Sequence, residues 1–194
     1  MRYNLSEITT VIRDRRTIYP EFFSDRKVHR EQIELLLNNA IWAPSHGLTQ
    51  PWRFTVFAED ARHRLAEYLC DTYKQISGEN FNEIKYARFQ ERPLKASAVI
   101  AIGMSPDPKA KIPEIEEIEA VACAVQNMHL TATAQGLAFF WSSPKFLYDR
   151  GHTDFMGFGK DAKILGLIYI GYPQGEWPKG QRKPIEYIST WKND

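Results

Sequence analysis

The sequence lacks most of the features that assign a chain quickly to a class of protein. Its 194 residues include only two cysteines, Cys70 and Cys123, which match no metal-binding or redox spacing. No apolar run approaches the ~20 residues that a membrane span requires, and the first residues contain no apolar signal-peptide core. We therefore expect no membrane partner and a location in the reducing cytoplasm. Cys123 lies in an Ala/Val run and is expected to be buried.

An excess of either charge is also absent. The 25 Lys and Arg residues are balanced by 24 Asp and Glu residues, which gives a formal net charge of +1. A dedicated nucleic-acid-binding protein would need a large basic excess, so we expect no nucleic-acid partner. Because the chain contains no repeat, low-complexity tract or linker, residues 1–194 are expected to form one domain.

The motifs of hydrolytic and phosphate-transfer chemistry are missing as well. No serine lies in a G-x-S-x-G elbow, and neither a Walker A nor a G-x-G-x-x-G motif occurs. The five histidines never fall at metal-binding spacing, so no metal site is expected. A bound organic cofactor that carries the chemistry is compatible with these absences.

Hydrophobic periodicity predicts helices mixed irregularly with strands. The predicted helices span 5–13, 30–42, 60–76, 79–91 and 114–135, and the predicted strands span 53–57, 96–103, 137–141 and 163–171. Pro93 is expected to break off the fourth helix. The apolar strand 96–103 suits a sheet covered on both faces, and the small residues at 120–125 suit a buried helix. This pattern indicates a three-layer α+β domain.

Three short segments carry polar groups suited to a ligand. Arg15-Arg16-Thr17 follows the first helix, where it is either a phosphate clamp or an ordinary exposed helix end. In segment 43–54, His46 and Gln50 lie in a loop stiffened by two prolines. This loop either forms hydrogen bonds to a heterocycle or is only a well-capped connection between a helix and a strand. Trp141-Ser142-Ser143 follows a buried strand, which is a common ligand position but also the place of a simple turn.

Taken in order, these segments resemble the FMN-dependent nitroreductase family. Arg15-Arg16-Thr17 stands where the family usually has R-R-S, and segment 43–54 resembles A-P-S/D-x-x-x-x-Q-P-W-x-F. Further matches are Arg92-Pro93 before an apolar strand, Ala134-Gln135-Gly136-Leu137, Ile168-Tyr169-Ile170-Gly171-Tyr172-Pro173, and Arg182-Lys183-Pro184-Ile185-Glu186 near the closing R-x-P-L-E. The resemblance spans nearly the whole chain and is nearest to the small, minimal branch of the family.

The resemblance implies an α+β fold with three α/β/α layers, a mostly antiparallel central sheet, and a homodimer that binds two FMN molecules at its interface. It assigns cofactor-binding roles to ten residues. The phosphate and the ring edge would be held by Arg15, Arg16 and Thr17. The flavin would be flanked, partly from the other subunit, by Trp42, His46 and Gln50. Contacts to the phosphate or the ring would come from Trp141, Ser142 and Ser143, and Arg182 would add a phosphate partner. Thr17 keeps the hydroxyl of the usual serine, whereas Gly180 stands where some members have a lysine.

The implied activity is hydride transfer from NADH or NADPH through FMN to a nitroaromatic, quinone or related small-molecule acceptor. No side chain would act as a nucleophile. Other flavin chemistry on the same scaffold, such as dehalogenation or flavin breakdown, is an alternative, as are a non-catalytic FMN-binding module and a purely structural protein. Region 60–92, with Tyr73, Phe81, Tyr86 and Phe89, is our candidate for a lid over the flavin.

Overall fold

Helices and strands occur along the chain close to where periodicity predicts them. A computed structural model describes residues 3–109, 111–149 and 151–193. The helices in these ranges are α1 (Leu5–Asp14), α2 (Arg30–Ala40), α3 (Ala61–Ser77), α4 (Glu83–Lys95) and α5 (Glu114–Ala134). The strands are β1 (Phe23–Ser24), β2 (Trp52–Ala58), β3 (Ala98–Met104), β4 (Ala138–Ser142) and β5 (Lys163–Pro173). Within the described ranges, no helix is both long and apolar enough to cross a membrane.

Strand β5 is the centre of an antiparallel sheet. It pairs with β3 on one side and with β4 and β1 on the other, and β2 extends the sheet beyond β3. The register between β3 and β5 shifts by one residue after Ile102. Ile102 faces Gly166, whereas the next residue, Gly103, faces Ile164. Leu165 is therefore the extra residue of a β-bulge, a feature that often occurs beside functional sites.

Helices cover both faces of this sheet, which confirms the predicted three-layer α+β architecture. One hydrophobic cluster joins α2 and α5 to the sheet, and a second joins α3 and α4 to the opposite face. Along β3, side chains alternate between the two clusters, with Ala98, Ile100, Ile102 and Met104 in the first and Val99 and Ala101 in the second. All of β3 is buried, as expected for a strand covered on both faces.

Pro93 does not end the fourth helix, so this prediction is wrong. Helix α4 continues to Lys95 with Pro93 buried inside its last turn. The proline removes one helical hydrogen bond, which its own nitrogen would otherwise donate to the carbonyl oxygen four residues earlier. In addition, the guanidinium of Arg62 donates to the carbonyl oxygens of Leu94, at 3.0 Å, and Ala96. Tertiary hydrogen bonds thus stabilise the end of the helix.

The prediction that Cys123 is buried is also wrong. Cys123 and its neighbour Ala122 are exposed, whereas Ala120, Val121, Ala124 and Val125 are buried. Helix α5 is apolar on both sides in this region, but the sheet covers only one of them. The sequence could not distinguish a side covered by the same chain from a side left open.

Helix α1 packs against α5 and likewise presents apolar side chains to solvent. It contains no buried residue, and Leu5, Ile8 and Ile12 are exposed at helical spacing. We call Leu5, Ile8, Ile12, Ala122 and Cys123 the α1/α5 surface. Exposed apolar surfaces of this kind mark sites of association.

Of the four aromatic side chains expected in a lid, Tyr73 is buried, and Phe81, Tyr86 and Phe89 are partly buried against the core. Tyr73, Phe81, Tyr86 and Phe89 contact one another with ring centroids 5.2–5.6 Å apart. Phe89 also packs edge-on against Phe146 at 5.4 Å. The rings belong to the α3/α4 side of the sheet, opposite α5. We therefore assign them to the core and not to a lid.

Candidate functional site

A cleft of about 600 Å³ opens beside the exposed side of α5. Its walls come from segments that are distant in sequence, namely Arg15 and Thr17 after α1, Ile118, Ala122, Gln126 and His129 of α5, Trp141 and Ser143 at the end of β4, Tyr148, and Leu165 of the β5 bulge. Two of the three predicted ligand segments thus meet at one place. The volume lies in the usual range for small-molecule sites.

Positive charge is concentrated at Arg15. Burial, with the positive charges of Arg182 and Arg16, lowers the pKa of the Arg15 guanidinium. None of the three arginines forms an ion pair with a described residue. Cations grouped without a carboxylate partner favour the binding of an anion, and a guanidinium suits phosphate in particular.

Arg16 does not line the cleft, although it is adjacent to Arg15. Its Nη1 donates to the carbonyl oxygens of Arg13 at 2.5 Å and Arg15 at 2.7 Å, while its Nε is buried without a partner. The guanidinium lies against Gly180, where a Cβ would overlap it. Gly180 therefore makes room for Arg16.

His129 of α5 holds the backbone of the arginine segment in place. Its Nε2 lies 2.8 Å from the carbonyl oxygen of Arg16, and its ring stacks on Phe139 with centroids 4.1 Å apart. Burial is the main cause that lowers the pKa of His129 to about 4, against the opposing effect of the bond to Arg16. The ring is therefore neutral at neutral pH. Because a carbonyl oxygen only accepts, Nε2 carries the hydrogen.

The β5 bulge positions Trp141. The indole Nε1 donates to the carbonyl oxygen of Leu165 at 3.2 Å. At Gly166, φ is 139°, and a Cβ would lie 2.5 Å from the carbonyl oxygen of Ser142 and 2.6 Å from Trp141 Nε1. Only glycine fits this position. Trp141 keeps 38% of its surface exposed, and this surface faces the cleft.

The third predicted segment lies at the N-terminal end of α5. His46 Nδ1 is 2.6 Å from Oε2 of Glu116 in the first turn of the helix. The cleft residues of α5 begin at Ile118, two residues after Glu116, and extend to His129, about 20 Å from Glu116 along the helix axis. Trp42 and Gln50 are exposed, and neither they nor His46 line the cleft of the same chain. Ser142 and Arg182 lie near the cleft but do not form its described walls.

The loop that carries His46 has a strained backbone. Gly47, Leu48 and Gln50 have φ values of 59°, 55° and 47°. The left-handed region costs a residue other than glycine about 1 kcal/mol or more, and such strain concentrates at functional sites. Gln50 is held in this conformation because its N–H donates to Ser45 Oγ at 3.3 Å and its carbonyl accepts from Arg53 at 3.1 Å.

The connection between β3 and α5 supports the same loop. The side chain of Ile112 lies 3.4 Å from the position of a Cβ on Gly47. The Asp107 N–H donates to Oε2 of Glu117 at 3.1 Å, and the Asp107 carboxylate accepts from the Lys111 N–H at 3.0 Å. Glu117 is 2% exposed, and its Oε1 has no partner among the described residues. The His46 loop is thus braced against α5.

Sequence reasoning missed several residues of the cleft. Ile118, Ala122, Gln126 and His129 follow at helical spacing on one face of α5, so a helical projection could have grouped them. The glycine inside the apolar strand at Gly166 was a signal for a bulge. Tyr148 carried no such signal. The described residues contain no group of three or more His, Cys, Asp or Glu side chains able to hold a metal ion.

Comparisons with known proteins agree on one family. The family model described as "Nitroreductase family" matches residues 12–172. The chain is also 29% identical over 144 residues to YdjA of Escherichia coli strain K12, a protein named as an NAD(P)H nitroreductase. That alignment covers 74% of this chain and 77% of YdjA.

Solved structures share the fold. A nitroreductase-like family protein from Bacillus cereus superposes with a TM-score of 0.81 at 27% identity, covering 100% of this chain and 99% of that one. A protein from Desulfovibrio desulfuricans named as a nitroreductase, crystallised in complex with FMN, superposes with a TM-score of 0.72 at 24% identity and the same coverage. At 24% identity, the second likeness shows the fold alone.

Proposed function

Because the chain belongs to the Nitroreductase family, we propose that it is an FMN-dependent NAD(P)H oxidoreductase. When bound, FMN would take a hydride from NADH or NADPH and pass it, in a ping-pong cycle, to a nitroaromatic compound, a quinone or a related small-molecule acceptor. The observation that carries the proposal is the cleft in which Arg15, without an acidic partner, lies beside Thr17 and Trp141. The name of YdjA and the FMN complex of the D. desulfuricans protein support it.

The cleft fits the two chemically different parts of FMN. Arg15 and Arg182 would neutralise the phosphate, and Arg16, which does not line the cleft, would add its positive charge next to Arg15. Thr17 would donate its hydroxyl to the phosphate or to the ring edge. Trp141 would contact the flat ring. Ser142 and Ser143, where β4 ends, would supply hydroxyl and backbone N–H donors.

We propose that a second copy of the chain completes the site. The loop with Trp42, His46 and Gln50 is exposed near the N-terminal end of α5, and the cleft extends along the same helix from Ile118 to His129 without including the loop. A twofold axis that sets α5 antiparallel to its copy would bring the loop of one subunit over the cleft of the other. The α1/α5 surface supports such a contact, because it leaves apolar side chains uncovered in a single chain.

The visible spectrum of the purified protein tests the cofactor and its reduction. With FMN added, the protein should retain flavin absorption near ~375 and ~450 nm after desalting, as flavoproteins do. Under anaerobic conditions NADH or NADPH should bleach it, and a nitroarene or quinone should restore it. A protein that stays colourless would overturn the proposal. A bound flavin that neither nucleotide reduces would indicate a non-catalytic FMN-binding module, and reduction without turnover would indicate other flavin chemistry.

Substitution of Arg15 tests the assignment of the phosphate site. We expect Arg15→Gln to weaken FMN affinity by roughly tenfold or more, because a charge-assisted hydrogen bond contributes about 1.5–3 kcal/mol. Titration with flavin fluorescence measures the dissociation constant. Arg64→Gln is the matched control, since Arg64 is an exposed arginine of α3. Equal affinities for both variants would contradict the assignment.

We also propose that the protein works in the cytoplasm. Cys70 and Cys123 are both unpaired thiols, which a reducing compartment maintains. Fractionation of the source cells measures the location, and recovery outside the cytoplasmic fraction would contradict it.

A further inference from the structure

His46 and Glu116 form a close pair whose geometry suits proton transfer. His46 Nδ1 lies 2.6 Å from Glu116 Oε2. Because the carboxylate only accepts hydrogen bonds, Nδ1 of His46 carries a hydrogen. The hydrogen bond at Nδ1 therefore determines which role is left to the other ring nitrogen, Nε2. Nε2 has no hydrogen-bond partner among the described residues, and the side chain of His46 is 60% exposed. Nε2 is thus open to a small molecule and to water.

The other acidic groups near the loop are already engaged. Glu114, two residues before Glu116, pairs with Lys163 at 2.7 Å. Glu117 accepts from the Asp107 N–H at 3.1 Å. The basic groups nearby are Arg53, which donates to the Gln50 carbonyl oxygen at 3.1 Å, and the exposed Lys109 and Lys111. Glu116 is therefore the charged side chain that sets the orientation of the His46 ring.

Rigid backbone on both sides makes this orientation reproducible. The ring follows Ser45 and precedes the left-handed residues Gly47 and Leu48, and Ile112 packs at Gly47. Glu116 belongs to the first turn of a 21-residue helix. Side chains carried on rigid elements hold catalytic geometry better than side chains on free loops.

We propose that Nε2 of His46 delivers a proton to the electron acceptor and that Glu116 is the positioning residue that holds the ring for this transfer. The inference rests on the proposed function and on the proposed dimer, which would bring the His46 loop of one subunit over the cleft of the other. Reduction of a quinone to a hydroquinone consumes two electrons and two protons. The hydride supplied by the proposed activity brings both electrons and one proton. A second proton must come from another donor.

The His46 imidazolium supplies this second proton. Its Nε2–H bond breaks as an O–H bond forms on the acceptor, and the ring becomes neutral with Nδ1–H still donated to Glu116. Water then returns a proton to the exposed ring, so the residue is ready for the next cycle. A positioned histidine is the commonest side chain for this role.

Comparison of two acceptors tests the role of His46. The reduced, FMN-loaded protein is mixed anaerobically with a benzoquinone, which needs protons, or with ferricyanide, which takes one electron and needs none. In His46→Gln, the rate ratio of quinone to ferricyanide should fall at least ~10-fold, since general acid catalysis contributes about 10²–10⁴-fold. Glu67→Gln, at an exposed position of α3, should keep the wild-type ratio. An unchanged ratio in His46→Gln overturns the proposal.

Nitrogen NMR of the FMN-free protein tests the role of Glu116 without any activity. The neutral His46 ring should be the Nδ1–H tautomer in the wild type and shift toward Nε2–H in Glu116→Ala. Glu116→Gln, which can still accept from Nδ1, should restore the tautomer and most of the quinone rate. The pair is on the surface and contributes little to stability, so these variants should fold. The same tautomer in wild type and Glu116→Ala overturns the positioning role.

The two proposals fail in different ways. A wild-type protein that binds no FMN overturns the proposed function and this inference together. A wild-type protein that is reduced by NAD(P)H, with equal quinone-to-ferricyanide ratios in wild type and His46→Gln, overturns only this inference.

Discussion

The adjacent residues Arg15 and Arg16 have different surroundings, which the sequence alone could not distinguish. Arg15 lines the cleft, whereas Arg16 folds back on the end of α1 and lies against Gly180. The R-R-T motif indicated an anion site at these positions. The separate environment of Arg16 depends on a contact with the far end of the chain, and no local pattern encodes such a contact.

The buried imidazole of His129 should make stability depend on pH. Its pKa is about 4 in the folded protein against 6.5 as the ordinary value, so the unfolded chain binds more protons between these limits. The free energy of unfolding should therefore decrease by about 1.4 kcal/mol for each pH unit below 6.5. This loss continues until the pH passes the folded pKa.

Urea unfolding of wild type and His129→Gln at several pH values between 7 and 4.5 measures this effect. Glutamine can still donate to the Arg16 carbonyl oxygen but does not titrate in this range. We expect the variant to show the shallower slope. Equal slopes would show that His129 is not the group responsible.

At the scale of helices and strands, the sequence correctly predicts that each of the predicted elements exists and whether it is a helix or a strand. Periodicity depends on neighbouring residues, so each predicted element is present with boundaries a few residues away. The errors have tertiary causes. Hydrogen bonds from Arg62 extend α4 past Pro93, and the sheet covers only one of the two apolar sides of α5, which leaves Cys123 exposed.

The bulge in β5 should be intolerant of any side chain at Gly166. We expect Gly166→Ala to lower stability by about 2 kcal/mol or more, because φ is 139° and the new Cβ would clash with Trp141 and Ser142. Thermal unfolding followed by circular dichroism measures the change in Tm. Gly159→Ala is the control, since no atom lies within 4 Å of its Cβ position. A similar Tm for both variants would contradict this account of the bulge.

For the architecture of the whole molecule, the family resemblance predicted more than the predicted helices and strands did. Periodicity indicated three layers, and the resemblance added the antiparallel sheet. The cleft joins residues from five segments of the chain, and the loop with His46 does not line it. The proposed dimer accounts for this separation and for the exposed apolar side chains of α1.

A charge placed in the α1/α5 surface should separate the subunits and weaken cofactor binding together. We expect Ile8→Lys to shift the protein toward monomer in sedimentation analysis and to make FMN affinity depend on protein concentration, because ligand binding and association are linked. Ile84→Lys is the matched control, since Ile84 is exposed on α4, away from this surface. A monomeric wild type, or a dimeric variant with normal affinity, would contradict the proposed interface.

The contacts near Gly180 also concern the order of events during synthesis. Trp177 donates its indole N–H to the carbonyl oxygen of Asp14 at 2.7 Å, and Gly180 receives the guanidinium of Arg16. The arginine segment leaves the ribosome more than 160 residues before the residues that pack on it. This end of the cleft can therefore assemble only after Gly180 has emerged, so a growing chain would bind the proposed cofactor only after that point.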